Sequence, residues 1–151
     1  MININKLYKS LFSAIVAFGL LTGGASAMMD GSNADHAKIV VQMSSNDARA
    51  QGRTLKRVGW IMDAFEDKAT LEVVAIGPAF SMLTKDGKYA KNITKLMKRG
   101  VVFTADASIQ KMMKKHKLPT DLVAGVKHVK VGPAHIVKLQ MQDYKYLALF
   151  F

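Results

Sequence analysis

The stretch "VVFTADASIQ" (Val101–Gln110) decides how the chain is read. Apolar and β-prone residues run straight into Asp106, and small polar residues then open a helical pattern. A strand that feeds a helix without a hairpin turn is half of a β-α-β unit. The same grammar repeats outward in both directions. Upstream, "KIVVQM" (Lys38–Met43) reads as a strand, and "SSND" supplies good helix N-caps. Leu55, Val58, Ile61, Met62 and Phe65 then recur at helical spacing within Asp47–Glu66. "TLEVVAI" (Thr70–Ile76) is a second strand, stopped by Gly77-Pro78, and "AFSML" (Ala79–Leu83) is a helical turn. Tyr89, Ile93, Leu96 and Met97 mark the next helix, with Gly100 as its stop. Downstream of the third strand, Ile109, Met112 and Met113 form a stripe that closes before Pro119. "KHVKV" (Lys127–Val131) is a fourth strand, broken by Gly132-Pro133. A helix over Ala134–Gln142 and a strand over Tyr146–Phe151 follow.

Alternating β and α units imply parallel strands joined by right-handed crossovers. The expected fold is a three-layer α/β sandwich with a five-stranded, mostly parallel, flavodoxin-like sheet. In such sheets the ligand crevice lies beyond the carboxyl ends of the strands. The candidate ligand-binding residues are therefore those at strand exits. They are Ser44, Ser45 and Asn46 after the first strand, and Gly77 and Pro78 after the second. Asp106, Ala107 and Ser108 follow the third, with Gly132 and Pro133 as an outer wall after the fourth. Asp106 reads as a helix N-cap, because its charge and its acceptor oxygens both suit a helix start. The alternative is a pocket carboxylate that anchors a ligand or works as an acid or base.

Residues 1–27 read as a signal peptide: Lys6 and Lys9, then the apolar run Leu11–Leu21, then "ASA" (Ala25–Ala27). The run is shorter than the roughly 18–20 apolar residues of a membrane span. The chain is thus expected to be secreted into the periplasm, with no stable membrane insertion after cleavage. Residues 28–37 form a polar leader, and 38–151 a single α/β domain. The absence of cysteine excludes disulfides and thiolate chemistry. The formal net charge is +11, and twelve Lys or Arg fall between Lys85 and Lys130 against Asp86, Asp106 and Asp121. A solvated cationic surface accounts for this, and a small anionic ligand or an acidic protein partner is the specific alternative. Export disfavours nucleic acid. The basic helix "KMMKKHK" (Lys111–Lys117) reads as a solvated outer face.

No catalytic residue set, cofactor or metal is expected. The phosphate-cradling GxxxxGK and dinucleotide GxGxxG patterns are missing, and "GPAHI" has no nucleophile. His36, His116, His128 and His135 lack zinc-ligand spacing. Met112 and His116 stand one helical turn apart, but Met112 fits the apolar stripe and reads as core.

The ordered set "KIVVQMSSND", "LEVVAIGPAFSML", "RGVVFTADASIQ" and "VKVGPAHIVKLQMQDYKYL" resembles the DsrE/DsrF-like family over nearly all of residues 38–151. The resemblance implies a flavodoxin-like α/β fold and assembly as trimers or hexamers. Some members relay sulfur as a persulfide on a cysteine just after the third strand, in a pattern like V-x-F-x-x-C. Here that pattern runs from Val101 through Phe103 to Asp106. A carboxylate cannot hold a persulfide, so the resemblance implies the fold and the pocket without the relay step. Three roles follow. The first is an exported module that oligomerises and binds a small ligand or protein, accessory to sulfur metabolism. The second is an enzyme or accessory factor using Asp106 non-covalently. The third is a structural oligomer with a vestigial pocket. The apolar "YLALFF" strand calls for cover by helices or by another subunit.

The exported form is expected to begin at Met28, which N-terminal sequencing of periplasmic protein checks. A chain beginning at Met1 and extracted only by detergent would refute export.

Overall fold

The structure, a computed structural model, describes residues 36–149. Residues 1–35, which hold the expected signal peptide and most of the expected leader, and residues 150–151 lie outside the described residues. Five parallel strands form one sheet in the order β4-β3-β2-β1-β5. They are β1 (Lys38–Met43), β2 (Thr70–Ala75), β3 (Val102–Asp106), β4 (Lys127–Val129) and β5 (Lys145–Leu147). The helices are α1 (Ala48–Ala64), α2 (Ala90–Lys98), α3 (Ala107–Lys115) and α4 (Gly132–Gln140). A 3-10 helix over Gly77–Leu83 follows β2. The five-stranded parallel α/β architecture is the one expected from the alternation of runs.

Strand alternation assigns the two sheet faces. Ile39, Val41, Met43, Leu71, Val73, Ala75, Phe103 and Ala105 point to the front, into one core with Leu55, Val58 and Met62 of α1, Phe80 and Leu83 of the 3-10 helix, and Ile93 and Leu96 of α2. Ile109 and Met113 of α3 pack on the same core. The back face is different. Among the described residues its apolar cluster is Val40, Val74, Ile136 and Leu139, edged by Ile76 and Tyr144. Within this described part, α4 is the helix that lies over it, across β1, β2 and β3. The central strands β1, β2 and β3 are largely buried, as near-continuous apolar runs require. The edge strands β4 and β5 are three residues long and carry Lys127 and Lys145, which discourages edge-to-edge pairing.

Three local expectations need correction. Gly77-Pro78 and Gly132-Pro133 do not simply break structure: each opens a helix, with proline in its first turn. Proline is preset for that position because its missing N–H would have no helical partner there. The last helix accordingly starts at Gly132 rather than Ala134. Met112 is not core either. It is half exposed, while its neighbour Met113 turns inward. The last strand stops at Leu147, short of the apolar residues after it.

Gly132 sits where there is no room for a side chain. A Cβ there would come within 2.5 Å of Ile76 Cγ2 and 3.1 Å of Asp106 Oδ2. Gly132→Ala is expected to lower stability by about 1–3 kcal/mol through overpacking. Urea unfolding measures this, and an unchanged midpoint would show that α4 shifts freely.

Candidate functional site

The crevice at the carboxyl end of the sheet is defined by the directions of the outgoing chains. β3 leads into α3 on the front, whereas β4 leads into α4 on the back. Their ends separate there, at the topological switch point. Asp106 occupies that gap. It is the last residue of β3, pairs in register with Val129 of β4, and is 3% exposed. Strand alternation turns it to the back, beside α4.

Both carboxylate oxygens are engaged. Oδ1 accepts from the Ser108 backbone N–H at 2.9 Å and from Ser108 Oγ at 2.5 Å. Oδ2 accepts from the Gly132 N–H at 2.8 Å. Ser108 belongs to the first turn of α3 and Gly132 is the first residue of α4, so one carboxylate caps two helices. The cap of α4 has to come from outside, because Val131 precedes it and offers no side-chain acceptor. Burial pushes the Asp106 carboxyl upward, but the donors from Ser108, Gly132 and Ile109 outweigh it and hold it below the usual aspartate range.

The other strand exits form a second knot. The Ser45 carbonyl accepts from Gln51 Nε2 at 3.0 Å, and Gln51 Nε2 also reaches Ser81 Oγ at 3.5 Å. Ser81 Oγ donates to the Pro78 carbonyl at 3.0 Å. Ser45 Oγ accepts from the Asp47 N–H, and Asp47 caps α1 through the Ala50 N–H at 2.7 Å. Ser45 and Pro78 are therefore joined through Gln51 and Ser81, neither of which the sequence singled out. Gly77 adopts a positive φ of 54° where β2 turns into the 3-10 helix. Ser44 and Asn46 are exposed, Ala107 is half-buried and Pro133 is exposed. The expected site thus resolves into Asp106, Ser108 and Gly132 in direct contact, with Ser45, Gly77 and Pro78 beside the neighbouring exits.

A second buried carboxylate lies on the back face. Glu72, in the middle of β2, is 6% exposed. Its Oε1 accepts from Thr104 Oγ1 at 2.6 Å and lies 2.6 Å from His135 Nε2 of α4. Burial, and then the Glu72 charge, push the Tyr144 phenol upward. A carboxylate that orients an imidazole is half of a general-base arrangement. The Thr104 hydroxyl is committed to the same Glu72 oxygen and is not free to act as a nucleophile beside the pair. No group of three or more His, Asp or Glu among them is placed to hold a metal ion. The sequence carried one signal for this cluster: a glutamate set inside the apolar strand "TLEVVAI".

No family model matches this sequence, and no curated protein matches it. Solved structures do. A protein of unknown function from Methanobacterium thermoautotrophicum, MTH1491, superposes with a TM-score of 0.67 at 24% identity, over 75% of this chain and 99% of that one. The ychN protein from E. coli superposes with a TM-score of 0.63 at 14% identity, again over 75% and 99%. The chain has a DsrE-like fold. In a DsrE-like chain without cysteine, the exit of β3 is held by an aspartate whose oxygens are already occupied.

Asp106→Asn is expected to cost about 1–3 kcal/mol, because the new NH2 group faces an N–H that it cannot accept from. A residue that only capped α3 would tolerate asparagine with little loss. The pH dependence has a defined sign. A folded-state carboxyl held below its unfolded value contributes stability above that value, about pH 4, and loses it as the pH falls through the folded value. Acid titration of urea stability should therefore be steeper for the wild type than for Asp106→Asn. Equal slopes would remove Asp106 from the acid response.

Proposed function

We propose that this protein is an exported binding module with a DsrE-like fold. It assembles with copies of itself and holds a small ligand or protein partner, accessory to sulfur metabolism and without covalent sulfur transfer. One observation carries the reading. Asp106 stands where the family resemblance places the sulfur-carrying cysteine, and it is buried with its oxygens bonded to the starts of α3 and α4. The position that is a nucleophile in relay proteins is here a structural tie. What the crevice retains is its setting: a switch point with Ser108 exposed at its edge. That supports a binding role in preference to an enzymatic one.

Self-assembly is supported by the back of the molecule. Val131, Val137, Met141 and Tyr146 are all exposed large apolar residues, and Met141 reaches 81%. Val137 is on α4, Val131 and Met141 flank its two ends and Tyr146 is on β5, around a sheet face that the described residues cover thinly. Such a grouping suits burial against another subunit. The second reading, a non-covalent enzyme, is favoured by a different pair from the one the sequence suggested. His135, held by Glu72, is a better-placed general base than Asp106, whose lone pairs are committed.

Native mass spectrometry of protein purified from its own periplasm tests the reading. The expected result is a trimer or larger assembly carrying retained mass. Met141→Lys with Val137→Asp should shift it towards monomer while leaving the fold intact by circular dichroism. A wild-type monomer without ligand would overturn the proposal.

A further inference from the structure

Two clefts lie away from the strand exits. One of about 410 Å³ lies along α2, between that helix and the segment 121–124. Ala90, Val123 and Ala124 contribute its apolar lining, and Lys85, Lys91, Lys95 and Lys98 its cations. A second cleft, of about 430 Å³, shares Thr94, Lys98 and Ala124 with the first and continues to Lys127. Together they form one elongated groove with five lysines.

The far wall of this groove is fixed before any ligand arrives. The Lys85 N–H donates to the Asp121 carbonyl at 2.8 Å, and the Val123 N–H to the Leu83 carbonyl at 2.9 Å. Thr84 and Leu122 form an antiparallel bridge. Lys85 Nζ is also paired with Asp121 at 2.7 Å. Lys91, Lys95, Lys98 and Lys127 have no carboxylate within ion-pair distance among the described residues. Lys91, Lys95 and Lys98 share one helical face at steps of four and three, where like charges repel. Lys91 also stands in the first turn of α2, which has no acidic residue and where the helix dipole disfavours a cation. Lys95 and Lys98 stand in the last turn of α2, where the helix dipole favours cations, so Lys91 is the placement that local stability does not explain and an anionic occupant does.

We propose that this groove binds an extended acidic peptide segment of a partner protein, in which acidic residues alternate with small apolar ones. The groove's chemistry selects that occupant. It is shallow and open, and it sets apolar lining beside its lysines. No aromatic ring lines it, so it offers no stacking platform for bases or sugars. Its lining cations are all lysine, with none of the arginine forks that suit phosphate. Spacing agrees for one pair. Lys91 and Lys95 are about 6 Å apart along the helix axis, close to the roughly 6.6 Å between alternate residues of an extended chain. Alternate carboxylates then meet Lys91 and Lys95, with Lys98 adding charge beside them, and the intervening small side chains meet Ala90, Val123 and Ala124. This site is separate from the strand exits and does not depend on self-assembly.

Fluorescence anisotropy with the labelled peptide Glu-Val-Glu-Ala-Glu-Val-Glu, at near-physiological salt, tests the proposal. Lys95→Glu with Lys98→Glu should weaken binding by about tenfold or more, while Lys111→Glu with Lys114→Glu on α3 should change it by less than about twofold. Circular dichroism confirms that both variants are folded. A peptide of the same composition with its glutamates in one block should bind more weakly to the wild type. Equal losses in the two double variants would reduce the groove to a general cationic field and overturn the proposal. So would equal binding of the blocked peptide, or tighter binding of a single-stranded oligonucleotide or of anionic vesicles that is lost in the Lys95→Glu/Lys98→Glu variant.

Discussion

The carboxylate of Asp106 is the contact on which the back of this molecule depends. A helix start leaves N–H groups without partners, and α4 begins after a valine that cannot supply one. Asp106 provides the missing acceptor from β3, and through its other oxygen it starts α3. Placing one negative charge between two helix starts answers two needs at once: it satisfies backbone donors and it opposes both dipoles. Burial of an ionised group is costly in isolation. Here several donors surround it, which is why the group is held in its charged form despite being 3% exposed.

The two faces of the sheet are held by different physics. The front is ordinary hydrophobic packing, with Phe80, Phe103, Met62 and Leu71 fully enclosed. The back relies on few apolar contacts and on directed polar ones. Glu72 binds Thr104 and His135, Asp106 binds Gly132, and only Ile136 and Leu139 of α4 join the apolar cluster. Non-directional burial tolerates sliding, whereas hydrogen bonds at 2.6 to 2.8 Å fix register. A nine-residue helix over three strands therefore sits in one place, and it leaves Val137 and Met141 outside.

Charge is distributed with a similar division. The acidic residues near the surface are largely engaged: Asp63 and Asp67 bind Arg99, and Asp121 binds Lys85. The two buried acids are turned inward to α4. Much of the lysine excess is thus left without local neutralisation, concentrated on α2, α3 and the β4 edge. Exposed ion pairs contribute little stability, so this pattern shapes what approaches the protein more than how firmly it folds.

The sequence by itself determined the run of elements. Apolar periodicity marked β1 at its observed bounds and the alternation that makes the strands parallel, and residue type marked Asp106 as a helix cap and "SSND" as a capping loop. These are local properties, set within a few residues by side-chain spacing and capping chemistry. The Gly-Pro pairs show the limit of such reading, since the same dipeptide ends a strand and opens a helix, and proline satisfies both. Met112 and Met113 show another: adjacent residues of one stripe were separated only by how α3 leans on the core. What the tertiary structure alone decided was partnership across distance. Glu72 and His135 are 63 residues apart, and Asp106 and Gly132 are 26 apart. Neither pair has a spacing signature, because their meeting depends on α4 crossing to the back of the sheet on its way to β5. The strand order β4-β3-β2-β1-β5 forces that crossing, since a right-handed return from β4 to the far side of β1 must pass over the face that the earlier helices leave open.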